Sequence, residues 1–282
     1  MGTKMPKFIR DGCRLRRIEA KGCVWWASHI LLGLALVVND ALPVKAVSLS
    51  QVIPRRKIIV VDPGHGGHDL GAVGPSGLAE KVVTLSVAQK MQDILSGTYE
   101  VHLTRNDDYT VDIEHRTAQA NHHRADIFVS IHAGGGFRHQ ARGVIVFYQS
   151  PCTGPGSKPS QQRRGPWEIR EKPLPWDCIQ EVHRAKSQAL AKLVHRHLLG
   201  KVSPEDRGVR EAPCLVLRGA DMPATLIEIA HLSHPSEERE LRKPEVVSAA
   251  AEAICEAIKE YFTSTLDSQQ DEAYAPSALS TF

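Results

Sequence analysis

At 282 residues, 42% hydrophobic and 24% charged, the chain can bury one good core and reads as a single globular domain with appendages. Its charge is unevenly placed: up to Ala46 eight Lys/Arg stand against three Asp/Glu, a surplus of +5, so the remainder carries −2 of the formal +3. No basic patch remains in that remainder to argue for nucleic-acid binding.

The first 46 residues are a different kind of sequence. A basic stretch (Lys4, Lys7, Arg10, Arg14, Arg16, Arg17, Lys21) precedes the apolar run CVWWASHILLGLALVV from Cys23 to Val38, and Val44-Lys45-Ala46 presents small or apolar residues at the positions a signal peptidase inspects. Residues 1–46 are expected to be a secretory signal, or an N-terminal anchor if cleavage fails. The apolar run falls short of the roughly 20 residues a confident spanning helix needs. Residues 47–56 read as a short linker.

From Lys57 to Phe262 apolar periodicity switches repeatedly between two and 3.6, which predicts an α/β domain over 57–262. Strand-like runs are KIIVVD (57–62), YEVHL (99–103), DIFVSI (126–131), GVIVFYQ (143–149), CLVL (214–217) and ATLIEI (224–229). Helical stripes lie between them: Val82, Leu85, Ala88, Met91 and Leu95 within 80–95, a shorter helix over 113–123, and Leu190, Leu193, Val194 and Leu198 within 183–199. Pro244 is placed to open the last helix, with the stripe Val247, Ala251, Ile254, Ile258 and Phe262. The expected architecture is a mostly parallel twisted sheet of about six strands with helices on both faces, which binds ligands at the carboxyl ends of its strands.

Two stretches break the pattern. Residues 150–179 are rich in Pro, Gly and Arg, carry Trp167 and Trp176, and read as a long loop inserted between a strand and a helix. Residues 263–282 are polar and small and read as a disordered tail. Of the four cysteines beyond the leader, Cys152 and Cys178 lie at the ends of the inserted loop. In an exported chain they are the favoured disulfide, closing roughly 27 residues with a stabilisation of about 3–4 kcal/mol. Pairing with Cys214 or Cys255, or free thiols, are the alternatives.

Four side chains carry the chemistry. His65 follows the first strand in a Gly-rich turn, Glu80 heads the next helix, His132 ends an apolar strand and Glu228 interrupts another. A hydrolytic zinc ion wants three His/Glu-type ligands, one position left for water and an unligated carboxylate to handle protons. Taken singly, the signals are weaker. The Gly loop could cradle a phosphate, though no Lys-Ser/Thr follows it; Glu80 could be an ordinary first-turn carboxylate, and a lone His132 could be a satisfied core residue. Glu228 is the hardest to explain away, because an unpartnered carboxylate is costly to bury. His68, His115, His122, His123, His139, His231 and His234 are expected to be mostly solvated.

The ordered series DPGHGGHDLGAVGPSGLAEK, YEVHLTR, HRTAQANHHRADIFVSIHA, RGV and LVLRGADMPATLIEIAHLSHPSEERELR resembles the zinc-dependent N-acetylmuramoyl-L-alanine amidases, which cut peptide stems from the glycan strands of the bacterial wall. The resemblance implies Zn2+ on His65, Glu80 and His132, with Glu228 as the catalytic glutamate. It implies second-shell or scaffold roles for Arg105, Arg116 and Asn121. It further implies a secreted, periplasmic or extracellular monomer acting on peptidoglycan, open to a protein activator, and touching membrane only through an uncleaved leader. Two places depart from the family pattern: Gly134 stands where Asp or Asn is usual, and Ile229 to His234 replaces a stretch that usually ends in Ser-Asn. In resembling amidases the inserted stretch can cover the zinc, and Glu168 or Glu171 could plug it. The Pro-rich composition argues against a long inhibitory helix and for a loop bordering the substrate groove. Two other readings are a zinc carboxypeptidase using Arg105 or Arg116 as a carboxylate clamp, and a catalytically silent wall-binding protein, for which a buried Glu228 would be idle.

Overall fold

Strand and helix alternate as the periodicity requires. The computed structural model describes residues 55–136, 140–152 and 174–274, with side chains to 265. The leader, most of the linker, His139, residues 153–173 with Trp167, Glu168 and Glu171, and residues 275–282 lie outside that description. In chain order the elements are β1 (Ile58–Pro63), α1 (Glu80–Leu95), β2 (Glu100–Leu103), α2 (Ile113–His122), β3 (Ile127–His132), β4 (Val144–Gln149), α3 (Gln180–Leu198), β5 (Asp206–Ala212), β6 (Ala224–Glu228), α4 (Pro235–Leu241) and α5 (Pro244–Tyr274).

The six strands form one sheet in the order β2-β1-β3-β6-β4-β5. Every neighbouring pair is parallel except β4 and β6, which run antiparallel. Side chains alternate across the sheet. Ile59, Val61, Ile127, Val129 and Ile131 enter a core with α1, α3 and α5. Val60 and Phe128 face the other way, against Ala120 of α2 and a single 3-10 turn at Leu215–Leu217. Each large apolar side chain so buried stabilises the fold by roughly 1.5–3 kcal/mol.

Three local expectations need correction. The CLVL run is the 3-10 turn, not a strand: Leu217 N–H returns to Cys214 O, Val216 and Leu217 are buried, and Leu215 is exposed. The strand lies just before it at β5, whose sequence DRGVREA hides the period-two signal because an edge strand is half solvated. In α1 the buried stripe is Val83, Val87, Met91 and Leu95, stepping by four residues, and Val82 faces solvent. The last helix continues to Tyr274, so the first part of the expected disordered tail is helical. The hydroxyls of Thr263 and Thr265 bond back to Lys259 O and Tyr261 O, which keeps this polar stretch in register.

The structure joins Cys152 to Cys178, with Cα atoms 5.4 Å apart, and leaves Cys214 and Cys255 as free thiols. Among the described residues no helix is long and apolar enough to cross a membrane.

Candidate metal centre

The site begins at the end of β1. Asp62 is fully buried there and accepts hydrogen bonds from Thr104 Oγ1 (2.5 Å), Ser130 Oγ (2.6 Å) and Arg116 Nη1 (2.7 Å). Arg116 also donates to Pro63 O and His65 O, and the fully buried Arg105 donates to Pro63 O, Gly64 O and Lys81 O. Two guanidiniums thus fasten the turn that follows β1. That fastening holds His65 at φ 62°, a conformation that costs a non-glycine residue about 1–3 kcal/mol.

Close packing around the turn explains its glycines. A Cβ on Gly64 would run into the His132 ring, and one on Gly71 would stand 2.5 Å from His65 Cδ2 and 2.7 Å from Glu80 Oε2. The backbone must approach the side chains this closely for them to meet.

They do meet. His65 Nε2 lies 3.1 Å from Glu80 Oε2, and His132 Nδ1 lies 2.9 Å from Glu80 Oε1. One donor atom from each of the three residues falls within 4.8 Å of the others. The two imidazole rings stand edge to face, 5.0 Å apart. Asp69, four residues after His65, lies 2.7 Å from His65 Nδ1, so a neutral ring would keep its proton on Nδ1 and present the Nε2 lone pair to the cluster. Glu80 is oriented by backbone N–H groups of Ala72 (2.8 Å) and Ala133 (2.9 Å).

Electrostatics favour a cation here. Burial pulls the His65 pKa down, but the Glu80 and Asp69 carboxylates overcome it and raise it to about 9. His132 is raised by Glu80 against the same burial. Burial would push Glu80 up, yet the His132 and His65 contacts hold it well below the usual carboxylate range. The pocket therefore keeps protons on its imidazoles to balance its carboxylates, and a divalent ion can replace those protons. Two imidazoles and one carboxylate are a donor set suited to zinc.

Glu228 stands beside this cluster because of register: β3 and β6 are neighbours, and His132 pairs with Glu228 across them. Its Oε2 accepts Gly134 N–H at 2.5 Å. Burial raises its pKa to about 7, with the Glu80 charge adding to the rise. Gly134, which departs from the resembling family, lies close against this carboxylate: a Cβ there would lie 2.7 Å from Glu228 Oε2.

Other sequence candidates fall elsewhere. Asn121 donates to Gly219 O and accepts from Asp221 N, so it fastens the approach to β6 and does not stand behind the cluster. His231, expected to be solvated, is buried. Its N–H donates to Glu237 Oε2, and its Nδ1 lies 3.1 Å from Gly143 O. Asp69 was not singled out from sequence; the His-x-x-x-Asp spacing within 65–69 was the available signal.

A family profile described as N-acetylmuramoyl-L-alanine amidase matches residues 59–260. The chain is 34% identical over 231 residues to N-acetylmuramoyl-L-alanine amidase AmiC of Neisseria meningitidis, covering 75% of this chain and 54% of that protein. To AmiC of Escherichia coli O6:H1 it is 33% identical over 220 residues, covering 73% of this chain and 52% of that protein. The chain thus spans about half the length of these two relatives. Among solved structures, the catalytic domain of CwlV, an N-acetylmuramoyl-L-alanine amidase from Bacillus (Paenibacillus) polymyxa, superimposes with a TM-score of 0.59 at 30% identity, covering 73% of this chain and 98% of that one.

Proposed function

The chain belongs to the N-acetylmuramoyl-L-alanine amidase family, and from that premise we propose that it hydrolyses the amide between N-acetylmuramic acid and L-alanine in peptidoglycan. His65, Glu80 and His132 would hold Zn2+, and Glu228 would be the catalytic base. The observation that carries this reading is the meeting of three ligand-type donors within 4.8 Å next to a buried carboxylate whose pKa is near neutral.

When bound, Zn2+ supplies the Lewis acidity that makes water a better nucleophile and the amide carbonyl a better electrophile. The protein's own groups handle the protons. Glu228 accepts a proton from the attacking water at its carboxylate and delivers it to the departing amine nitrogen of L-alanine, so that carbon–nitrogen cleavage releases a neutral amine. A group with a pKa of about 7 can perform both halves of that transfer near neutral pH. Gly134 N–H fixes one carboxylate oxygen, and Asp69 keeps His65 in the tautomer that presents Nε2.

The carboxypeptidase reading loses support at its clamp. Arg105 and Arg116 are both buried and occupied with backbone carbonyls and Asp62, so neither guanidinium is free to grip a substrate carboxylate. A silent binder would have no use for the burial that raises Glu228.

Peptidoglycan lies outside the cytoplasm, and the basic-then-apolar start fits delivery there. The proposed mature chain starts after Ala46 and works in the periplasm or outside the cell. Incubation with purified wall fragments, with and without a zinc chelator, tests the activity. Chelator-sensitive appearance of a muramyl lactate carboxylate and a free L-alanine amine is the expected result; shortened peptides would mean a peptidase.

A further inference from the structure

The sheet edge that carries the metal centre does not stop at Glu228. β4 runs antiparallel to β6 and parallel to β5, so both strands begin at the edge where β3 and β6 finish. His132 pairs with Glu228, and Ile145 pairs with Glu228 from the other side. The register then slips: Val144 faces Asp206 and Val146 faces Val209, so Ile145 stands opposite both Arg207 and Gly208. Gly208 takes φ 78°, and its N–H donates to Asp206 Oδ1 at 2.7 Å. An extra residue at such a point re-aims a side chain. Arg207 therefore lies in the same row as Glu228, two strands away, at a Cα separation of about 10 Å.

Arg207 is held by a neutral group. Its Nη1 lies 3.3 Å from Nε2 of His231, a residue only 7% exposed. His231 Nδ1 is 3.1 Å from Gly143 O, so a neutral ring keeps its proton there and turns the Nε2 lone pair to the guanidinium. Burial, and after it the Arg207 charge, hold the ring pKa below its ordinary value; the Glu80 charge is also felt at the ring, which places the pair within electrostatic reach of the metal centre. Glu237 fixes the frame by accepting from His231 N, Gly143 N and Ser203 Oγ. The two arginines behind the metal centre are bound differently. Arg116 meets the Asp62 carboxylate, and Arg105 spends its donors on carbonyl oxygens. Among the described residues the half-buried Arg207 meets no carboxylate, and His231 is its hydrogen-bond partner. Its charge is anchored without being neutralised, and Nε and Nη2 keep a complete fork of donors.

Such a fork selects a planar anion, and a carboxylate fits it with two parallel bonds. In the proposed reaction the L-alanine nitrogen leaves from beside Glu228. A group on the next residue of an extended stem lies about 7 Å from that nitrogen, at about 3.3 Å per residue, and an arginine side chain covers the remaining distance. We propose that Arg207, anchored on His231, binds the free α-carboxylate of the second stem residue and so selects stems with an acid there over stems with an amide. The proposal rests on the amidase reading for the bond that is cut, and deepens it by naming the part of the substrate that is recognised. Arg207 sets specificity away from the reacting atoms, and His231 acts through it as a positioning residue.

The test uses the zinc-loaded full chain and two synthetic substrates that differ in one group. Both are N-acetylmuramoyl-L-alanyl-D-glutamate capped at the γ-carboxyl as the methylamide; one keeps the α-carboxylate and the other carries an α-amide. Wild-type protein should cleave the acid with a kcat/KM about tenfold or more above the amide, the scale of one charge-assisted hydrogen bond. In Arg207→Gln the ratio should fall to within about twofold of one. Arg207→Lys keeps the charge but not the fork, and His231→Phe keeps the guanidinium but not its anchor; both should give intermediate ratios. Arg210→Gln, at an exposed position on the same strand, should keep the wild-type ratio. Thermal melting checks that each variant remains folded. A wild-type ratio near one would overturn the subsite and leave the amidase reading standing. A ratio kept in Arg207→Gln would overturn it too, and a parallel fall on both substrates would make Arg207 structural. If neither substrate is cut, the amidase reading falls and calorimetric binding of the two capped dipeptides without the sugar decides the subsite. A preference of about tenfold for the acid, abolished in Arg207→Gln, sustains it; equal affinity overturns it.

Discussion

Two glutamates ten residues apart in sequence, Glu238 fully buried and Glu228 partly so, have opposite fates. Glu238, in α4, accepts from Ser76 N, Ser76 Oγ and Leu78 N and pairs with Arg242. Burial would push its pKa up, but these donors prevail and bring it down to about 2. Glu228, in β6, has the backbone N–H of Gly134 as its donor, and burial carries it up to about 7. Donors hold the Glu238 carboxylate charged, whereas Glu228, pushed up by burial, has one backbone donor to oppose the rise. Glu238 pins the loop that leads from Gly74 to Leu78 into α1, and so positions Glu80; Glu228 is left short of donors and free to exchange a proton.

The same substitution at both positions would break that comparison most directly. Glu228→Gln should lower hydrolysis by about 10²- to 10⁴-fold while zinc stays bound and the melting temperature does not fall, since a neutral amide is easier to bury than a carboxylate. Near-normal turnover would return Glu228 to a structural role. His65→Ala and His132→Ala should instead lose the metal itself, read as zinc well below one equivalent after dialysis. Full stoichiometry in either variant would remove that residue from the ligand set.

Asp69→Asn probes the next level down. It removes the charge that orients His65, and about a 10- to 100-fold loss of zinc affinity is expected with the fold intact. Equal affinity would show that the 2.7 Å contact does not govern the tautomer.

Glu238→Gln should spare the chemistry and weaken the fold. It places amide hydrogens against N–H donors and is expected to cost about 1–3 kcal/mol, a fall in melting temperature of roughly 2–4 °C per kcal/mol. Wild-type melting together with lost activity would reverse the two roles.

The smallest effect is a pH dependence of opposite sign at the two ends of the range. Glu238, depressed in the folded state, contributes stability that is complete above its unfolded value of 4.5 and is lost as pH falls through about 2. In the metal-free protein His65, raised to about 9, contributes stability that is complete below 6.5 and is lost as pH rises through about 9. Glu228, raised to about 7, adds a loss between 4.5 and 7 because the folded state holds its proton longer. Chelator-treated protein should therefore melt progressively earlier from about pH 5 to pH 9, and added zinc should flatten the slope. A flat profile without metal would contradict the charge balance described for the pocket.

The four residues of the candidate site drew notice in the sequence because each sits where a strong apolar pattern stops, and strand ends are where such sheets place chemistry. The six-stranded sheet was legible for the same reason in β1, β3, β4 and β6. β5 was not, since an edge strand with polar residues on its wet face carries no alternation, and the neighbouring CLVL run imitated the missing strand. Asp69 had a local signal in its spacing from His65, but Glu237 and Glu238 were hidden: they bind groups far along the chain, such as Gly143 N–H for Glu237 and Ser76 for Glu238, and no local spacing announces a contact across 162 residues. Gly134 was readable as a departure, but its contact with the Glu228 carboxylate was not.

The position of β6 also governs when the site can exist. It is the last strand made yet lies inside the sheet, between β3 and β4. A chain still emerging, or clipped before Ala224, contains His65, Glu80 and His132 but lacks both the base and the strand that bridges β2-β1-β3 to β4-β5. On the proposed function, competence for hydrolysis would arrive in the same event that closes the sheet, once the stretch from Ala224 onward has docked.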